Sequence, residues 1–141
     1  MKQIKYLLIS AFIGLVLSGC TSTSVFKCIP VKENKVNKDG HKIVAQLKGS
    51  NVGYFLFNGI PLYSGVPHRP NRREYKSFEN RVKPKHIEIM FDSQLKYINA
   101  NGISDLEIKT EESGWHTLGL IWTRKVEGKA FAIKKSSTKS K

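Results

Sequence analysis

Residues 84–102 read PKHIEIMFDSQLKYINANG, and this stretch decides the fold class because it predicts the one clear helix of the chain. Pro84 suits the first turn of a helix, and Gly102 stands where a left-handed C-cap is expected. Side chains at i, i+3 and i+4 spacing trace a single stripe along it: Ile87, Met90, Phe91, Gln94, Leu95 and Ile98. A helix with one such stripe needs one sheet face to cover it.

Strand patterns precede this helix. Residues 41–48 alternate in polarity, and residues 52–57 (VGYFLF) suit a strand buried on both faces, with a turn expected at 49–51 between them. Asn58-Gly59 is the strongest hairpin signal in the sequence. The arm that follows contains Pro61, which has no N–H for a ladder and therefore predicts an edge strand or an irregular crossing.

Strand patterns also follow the helix. Leu106, Ile108 and Thr110 alternate in 104–112. Residues 116–126 predict another strand, with a set of apolar side chains on one face: Leu118, Leu120 and Trp122. Glu127-Gly128 is interpreted as a turn into a last strand at 129–134, which gives a terminal hairpin. We therefore expect an α+β fold, a two-layer sandwich of one main helix packed on a mostly antiparallel sheet.

The beginning of the chain indicates export. Lys2 and Lys5 form a short positive region, and residues 6–17 are an apolar run. That run is too short for the roughly 20 residues of a membrane-spanning helix, but it suits the central region of a secretory signal. Leu17-Ser18-Gly19-Cys20 (LSGC) then closely resembles the lipobox of bacterial prolipoproteins. The alternative is an ordinary apolar N-terminal helix with an incidental cysteine.

The lipobox resemblance implies where the protein is processed. In that family the cysteine thiol receives a diacylglyceryl group and the chain is cut just before it. Cys20 is then the lipidated residue and the first of the mature chain, and Leu17, Ser18 and Gly19 are recognised by the signal peptidase. Thr21 follows in place of the Asp that often retains Gram-negative lipoproteins at the inner membrane, which favours the outer membrane in such a host. Cys28 then has no intramolecular disulfide partner.

The predicted organisation has four parts. Residues 1–19 are the signal peptide, and 20–40 are the lipidated cysteine and a polar tether, in which a short strand around Val25–Val31 is left open. Residues 41–134 are the small α+β domain. Residues 135–141 (KSSTKSK) are a basic disordered tail.

A further resemblance covers the mature domain. The YFLFNGIPLYSG segment, the helix that ends in NG and the LGLIWTRKVEGKAFAIK segment are similar to parts of small, uncharacterised envelope lipoproteins. The likeness is one of layout and local composition. It implies an envelope location and an α+β fold, and it implies no catalytic residues.

The charge balance indicates anionic partners. The whole chain has a net charge of +13, and the chain from Cys20 onward keeps 22 basic and 11 acidic residues, a net charge of +11. The segment 66–83, called the basic loop below, contributes the candidate anion contacts: Arg69, Arg72, Arg73 and Lys76. Anionic lipid, lipopolysaccharide or peptidoglycan is the expected partner, and nucleic acid is not. The alternatives are a solvated loop and a surface kept soluble by lysine.

No motif of catalysis or metal binding occurs in the sequence. The histidines lack a second ligand at metal-binding spacing: His41, His68, His86 and His116. Glu111 and Glu112 are adjacent on a predicted strand, so their carboxylates point to opposite faces. Neither a Gly-x-Ser-x-Gly motif nor a glycine-rich phosphate loop is present. The sequence therefore predicts no catalytic residue, no metal and no cofactor.

The predicted function is that of a membrane-anchored, non-catalytic binding or structural module of the bacterial envelope. One alternative is a lipoprotein enzyme that acts on cell-wall or lipid material. A second alternative is an accessory subunit of an envelope complex, suggested by the edge at Pro61. The aromatic residues leave a further choice between a ligand-binding surface and a packed core, with Tyr63 and Trp115 expected nearest the surface.

Overall fold

The computed structural model describes residues 23–31, 35–37, 39–114 and 118–134. These residues form six strands, one α-helix and one short 3-10 helix. In chain order they are β1 (Ser24–Pro30), β2 (Lys42–Leu56), β3 (Ile60–Gly65), β4 (Tyr75–Ser77), α1 (Pro84–Leu95), the 3-10 helix (Lys96–Ile98), β5 (Gly102–Ser113) and β6 (Ile121–Lys134). The expected α+β class is confirmed in this coarse sense, with far more strand than helix.

All six strands belong to one sheet, and every pair is antiparallel. The order is β4-β3-β2-β6-β5, and β1 also pairs with β2. Because β6 occupies one edge of β2 along its length, β1 and β3 share the other edge. β1 pairs with residues 45–51 of β2 and β3 with residues 53–56, so these two strands lie end to end.

Side chains of alternating burial run along the whole of β2, so only one face of the strand lies on the core. The burial of both faces predicted for residues 52–57 was therefore wrong. The buried face carries Leu47 and Phe55 and continues onto Val126 of β6. Ile87, Met90 and Phe91 of α1 are fully buried in the same apolar cluster. The predicted stripe of the helix is therefore confirmed at these three positions.

Two glycines predicted to form turns lie in the middle of long strands. Gly49 and Gly128 are directly opposite each other on β2 and β6, on the face that packs against α1. A Cβ at Gly49 would lie 2.8 Å from Met90 Sδ and from Phe91 Cε1, and one at Gly128 would overlap Ile87 Cγ2. The glycine pair therefore makes a hollow into which the helix packs. The turns expected at 49–51 and 127–128 were wrong for this reason.

The terminal hairpin predicted between residues 116–126 and 129–134 is also wrong, because no turn separates these segments. β6 runs without interruption from Ile121 to Lys134, and its hairpin partner is β5. Leu118 and Leu120 precede the strand and do not share a face with Trp122 on it. The predicted hairpin at Asn58-Gly59 is confirmed between β2 and β3.

The helix begins at Pro84 as predicted and ends earlier than expected. α1 stops at Leu95, the 3-10 helix follows, and Asn99 takes the left-handed conformation with φ of 54°. Gly102 is the first residue of β5 rather than the C-cap. Asparagine tolerates this conformation better than most residues, because its short polar side chain bonds locally.

The domain begins before residue 41. Residues 24–30, expected in the tether, form β1 and pair with β2 over their full length. Val36 also makes a bridge to Lys42. The predicted signal peptide, the lipobox residues and the tail at 135–141 lie outside the described residues. Among the residues that are described, no helix is long and apolar enough to cross a membrane.

Candidate functional site

The basic loop (66–83) is fastened to the first strand of the domain. Asn71 Nδ2 donates to the carbonyl of Phe26 at 2.8 Å, and the Phe26 N–H donates to Asn71 Oδ1 at 2.9 Å. The Asn71 N–H donates to the carbonyl of Ser24 at 2.8 Å. Asn71 thus forms three hydrogen bonds with the backbone of β1. Its φ of 64° lets the loop turn at this point.

The other end of the basic loop is held by hydrogen bonds from side chains of β2 and β3. Asn51 is fully buried on β2 and donates through Nδ2 to the carbonyl of Arg81 at 2.6 Å. Ser64 at the end of β3 is also buried, and its hydroxyl donates to the carbonyl of Glu79 at 2.8 Å. Val82 then enters the core. The loop is therefore held at both ends, and β4 pairs its middle with β3.

The four predicted anion contacts all lie exposed on this loop. Arg69 and Arg72 share the carboxylate of Glu74, with nitrogen–oxygen separations of 3.6 and 3.7 Å. Their side chains remain 57% and 67% exposed, so these ion pairs contribute little to stability. One carboxylate between two guanidinium groups leaves a net positive charge, to which Arg73 and Lys76 add.

Exposed aromatic side chains flank the same loop. Tyr75 and Phe78 lie on it, and Tyr97 follows α1. Two open depressions meet at His68 and Arg69. One is lined by Val66, His68, Arg69, Arg73, Glu74, Tyr75 and Lys76, and the other by His68, Arg69, Pro70, Arg72, Gln94 and Tyr97. These aromatic residues are not among the predicted contacts, although basic and aromatic residues alternate in RREYKSF (72–78).

A second exposed surface is apolar and lies at one end of the sheet. The β2–β3 turn meets the segment before β6, where the Phe57 N–H donates to the carbonyl of Leu120 at 2.9 Å. Large apolar side chains are exposed there, and we call them the apolar tip: Phe57, Ile60, Leu118, Leu120 and Ile121. Leu118 is 98% exposed. Pro61 is nearby, beyond the short stretch of β3 that pairs with β4.

The surroundings of His86 and Cys28 are typical of side chains with a structural role. Burial, followed by the charges of Lys85, Arg81 and Lys83, lowers the pKa of His86, whose Nδ1 accepts the Lys83 N–H at the start of α1. Cys28 is half-buried against the core, and burial raises the pKa of its thiol, so the reactive thiolate is disfavoured.

His68 shares a depression with Glu74, whose carboxylate is engaged by two arginines. His116 and Trp115 lie outside the described residues. Over the part of the chain that is described, no three His, Cys, Asp or Glu side chains are grouped as a metal site requires.

Comparison with family models, with curated proteins and with solved structures gives no match for this chain. A function therefore has to come from the chemistry of its own residues. Exposed arginines distinguish the basic loop from an ordinary solvated face, and exposed large apolar side chains distinguish the apolar tip.

Proposed function

We propose that this chain is a lipid-anchored protein of the bacterial envelope, and that its domain is a non-catalytic binding module with a basic surface for an anionic envelope component. The LSGC motif supports the anchor, and the net charge of +11 after Cys20 supports an anionic partner. The observation that carries the proposal is the attachment of the basic loop to the first described residues after the motif.

The attachment limits how far the basic loop can lie from the anchor. Thr23 Oγ1 donates to the carbonyl of Glu74 at 3.4 Å, in the middle of the charged segment. Cys20 precedes Thr23 by three residues, which span at most about 11 Å when fully extended. That distance is close to the Debye length of roughly 8–10 Å at physiological salt. An acylated Cys20 would therefore hold the arginines within electrostatic reach of the headgroups.

The composition of the loop suits such a surface. Basic residues next to a membrane anchor are attracted to anionic headgroups by about 1 kcal/mol for each Lys or Arg near the surface. Tyrosine and tryptophan concentrate at the interface between bilayer and water, and Tyr75 and Tyr97 flank the arginines. Anionic lipid of the anchor's own membrane is thus the nearest partner for the loop, and lipopolysaccharide and peptidoglycan carboxylates are the other anionic components it would meet.

The first test removes charge from the loop. Replacing Arg72 and Arg73 by glutamine should lower the affinity for vesicles that contain phosphatidylglycerol by roughly 30-fold, because each basic residue near an anionic surface contributes about 1 kcal/mol. The mature chain with Cys20→Ser is used, so that acyl chains do not mask the effect, and binding is measured by cosedimentation over a salt series.

A matched control removes the same charge elsewhere. Lys42 and Lys134 face each other across β2 and β6, and Lys42 is nine residues along β2 from Asn51, or about 30 Å. Their replacement by glutamine should change the affinity far less. Equal losses for the two double variants, or no loss for the arginine pair, would show that the loop is not the contact.

We also propose the finer architecture, a two-layer α+β sandwich. It is supported by the packing of Ile87, Met90 and Phe91 against one face of the sheet. It is further supported by the charged and half-exposed side chains that alternate with the buried ones on β2 and β6.

The apolar tip favours a second candidate function, that of an accessory subunit of an envelope complex. Exposed apolar patches on small proteins often mark protein contacts. A photoreactive amino acid at Leu118 should give a crosslinked adduct of one defined size in live cells. The same amino acid at Glu88, exposed on α1, serves as the control. The same adducts from both positions, or none from Leu118, would count against a partner at the tip.

A further inference from the structure

Three lysines form a row across the face of the sheet that is turned away from α1. Lys27 on β1 is directly opposite Lys48 on β2, and Lys48 is directly opposite Lys129 on β6. Their neighbours Leu47 and Gly49 point to the helix, so the lysines point to the other face, where all three are exposed. We call this set the lysine row.

The lysine row is electrostatically unfavourable by itself. Residues directly opposite on antiparallel strands have Cβ atoms about 4.5–5.5 Å apart, and like charges there destabilise the pairing. Neighbouring carboxylates are already engaged, Glu127 by Lys125 at 2.5 Å and Glu111 by Lys109 at 2.7 Å. Glu107 is opposite Lys129 on β5, but within the described ranges no carboxylate oxygen lies within 4 Å of a lysine of the row.

The row surrounds a shallow depression of about 240 Å³. The backbones of Gly49 and Gly128 form part of its lining, and Ser50 and Val25 complete it together with Glu127 and the lysines. Pockets for whole small molecules usually occupy about 300–1,000 Å³. The depression therefore suits one polar group of a ligand rather than a complete one.

We propose that the lysine row binds a phosphate group carried by a saccharide of the envelope, an inference that rests on the envelope location proposed above. A phosphate accepts hydrogen bonds from several directions, and ammonium groups bind it as point charges. The Ser50 hydroxyl offers one more donor. A planar carboxylate is matched best by the fork of an arginine, and none lines this depression.

A saccharide is favoured over a lipid headgroup by what surrounds the row. No aromatic side chain lines the depression, and Val25 is its one large apolar residue, whereas the basic loop has both arginines and exposed aromatics. The same face of the sheet carries a tyrosine cluster, in which the rings of Tyr54 and Tyr63 stack at 4.6 Å. Lys48 and Tyr54 are six residues apart on β2, or about 20 Å, a span that several linked sugar units cover.

The test uses the mature chain with Cys20→Ser, so its outcome does not depend on lipidation. Pyrophosphate should raise the Tm of the protein relative to chloride at the same ionic strength, because a ligand that binds only the folded state stabilises it. Lys48→Gln should raise the Tm of the ligand-free protein by relieving repulsion, and should abolish the increase caused by pyrophosphate. Calorimetric titration should show that Lys48→Gln lowers the affinity for pyrophosphate by about tenfold or more.

Lys109→Gln is the matched control, since Lys109 lies on the same face and is paired with Glu111. It should leave the response to pyrophosphate unchanged. A wild-type chain with no response beyond ionic strength, or equal losses in the two variants, would overturn the site.

Two further measurements separate the sources of phosphate. Glucose 6-phosphate should compete with pyrophosphate for the wild-type chain, while glucose should not. Binding of phosphatidylglycerol vesicles should be affected much less by Lys48→Gln than by the paired change of Arg72 and Arg73. If the sugar phosphate fails to compete and Lys48→Gln weakens vesicle binding as strongly as the arginine pair does, the ligand is a lipid headgroup and the saccharide assignment is wrong. A failure of the arginine test alone affects the basic loop and leaves the lysine row unaffected.

Discussion

Replacing Cys20 by alanine is expected to abolish the incorporation of fatty acid into this protein completely. The proposed anchor is a thioether, and the methyl group of alanine cannot form one. Without acyl chains the protein should also leave the membrane fraction, because each buried CH₂ contributes about 0.8 kcal/mol to membrane affinity. Growth of cells with a radiolabelled fatty acid, followed by isolation of the protein, measures the first effect, and fractionation measures the second.

The second cysteine supplies the control for this experiment. Cys28 lies on β1 with its side chain against the core, and Cys28→Ala should retain the full label. Label that persists on Cys20→Ala, or that disappears from Cys28→Ala instead, would refute the proposed anchor. Loss of the anchor should also reduce the contribution of the basic loop, since the loop acts at short range beside it.

Replacing Phe91 by alanine is expected to lower the free energy of unfolding by about 3–5 kcal/mol, the usual cost of removing a large buried aromatic side chain. Phe91 is 0% exposed and packs edge-on against Phe26, with ring centroids 6.1 Å apart. Its ring also fills the hollow at Gly49 and Gly128. Because domains are usually stable by only about 5–15 kcal/mol, this loss should bring the protein close to unfolding.

Urea unfolding of the mature chain measures this effect, with the midpoint shifted and the slope unchanged if both states keep their compactness. Tyr97→Ala is the control, because Tyr97 follows the same helix and is 83% exposed. Its replacement should alter stability by no more than about 0.5 kcal/mol. A loss below about 1 kcal/mol for Phe91→Ala would show that the helix does not pack on the sheet as described.

Local patterns predicted the elements whose signals lie within a few residues. The stripe of Ile87, Met90 and Phe91 indicated α1, and Asn58-Gly59 indicated the β2–β3 hairpin. The alternation in 41–48 and 104–112 indicated parts of β2 and β5. The arginines of the basic loop lie exposed, as clustered arginines between prolines usually do, and their role as anion contacts stays a prediction.

Long-range pairing decided what these patterns did not show. Nothing near β1 in the chain indicates that it pairs with residues 45–51 of β2, because the polar composition of that region is also typical of a tether. Asn71 reads as an ordinary loop residue, and its bonds to Phe26 join positions 45 residues apart. The lysine row likewise exists only through the register of three strands.

The sequence alone determined the α+β class, the position of the helix and its apolar stripe, and the excess of positive charge, because each of these depends on residue type and local spacing. Only the tertiary structure decided the role of Gly49 and Gly128. A glycine in a sequence indicates a turn or a close approach equally well, and the difference is whether another element packs there. Here Phe91 and Ile87 occupy the space that side chains at these glycines would fill, so both strands continue through them.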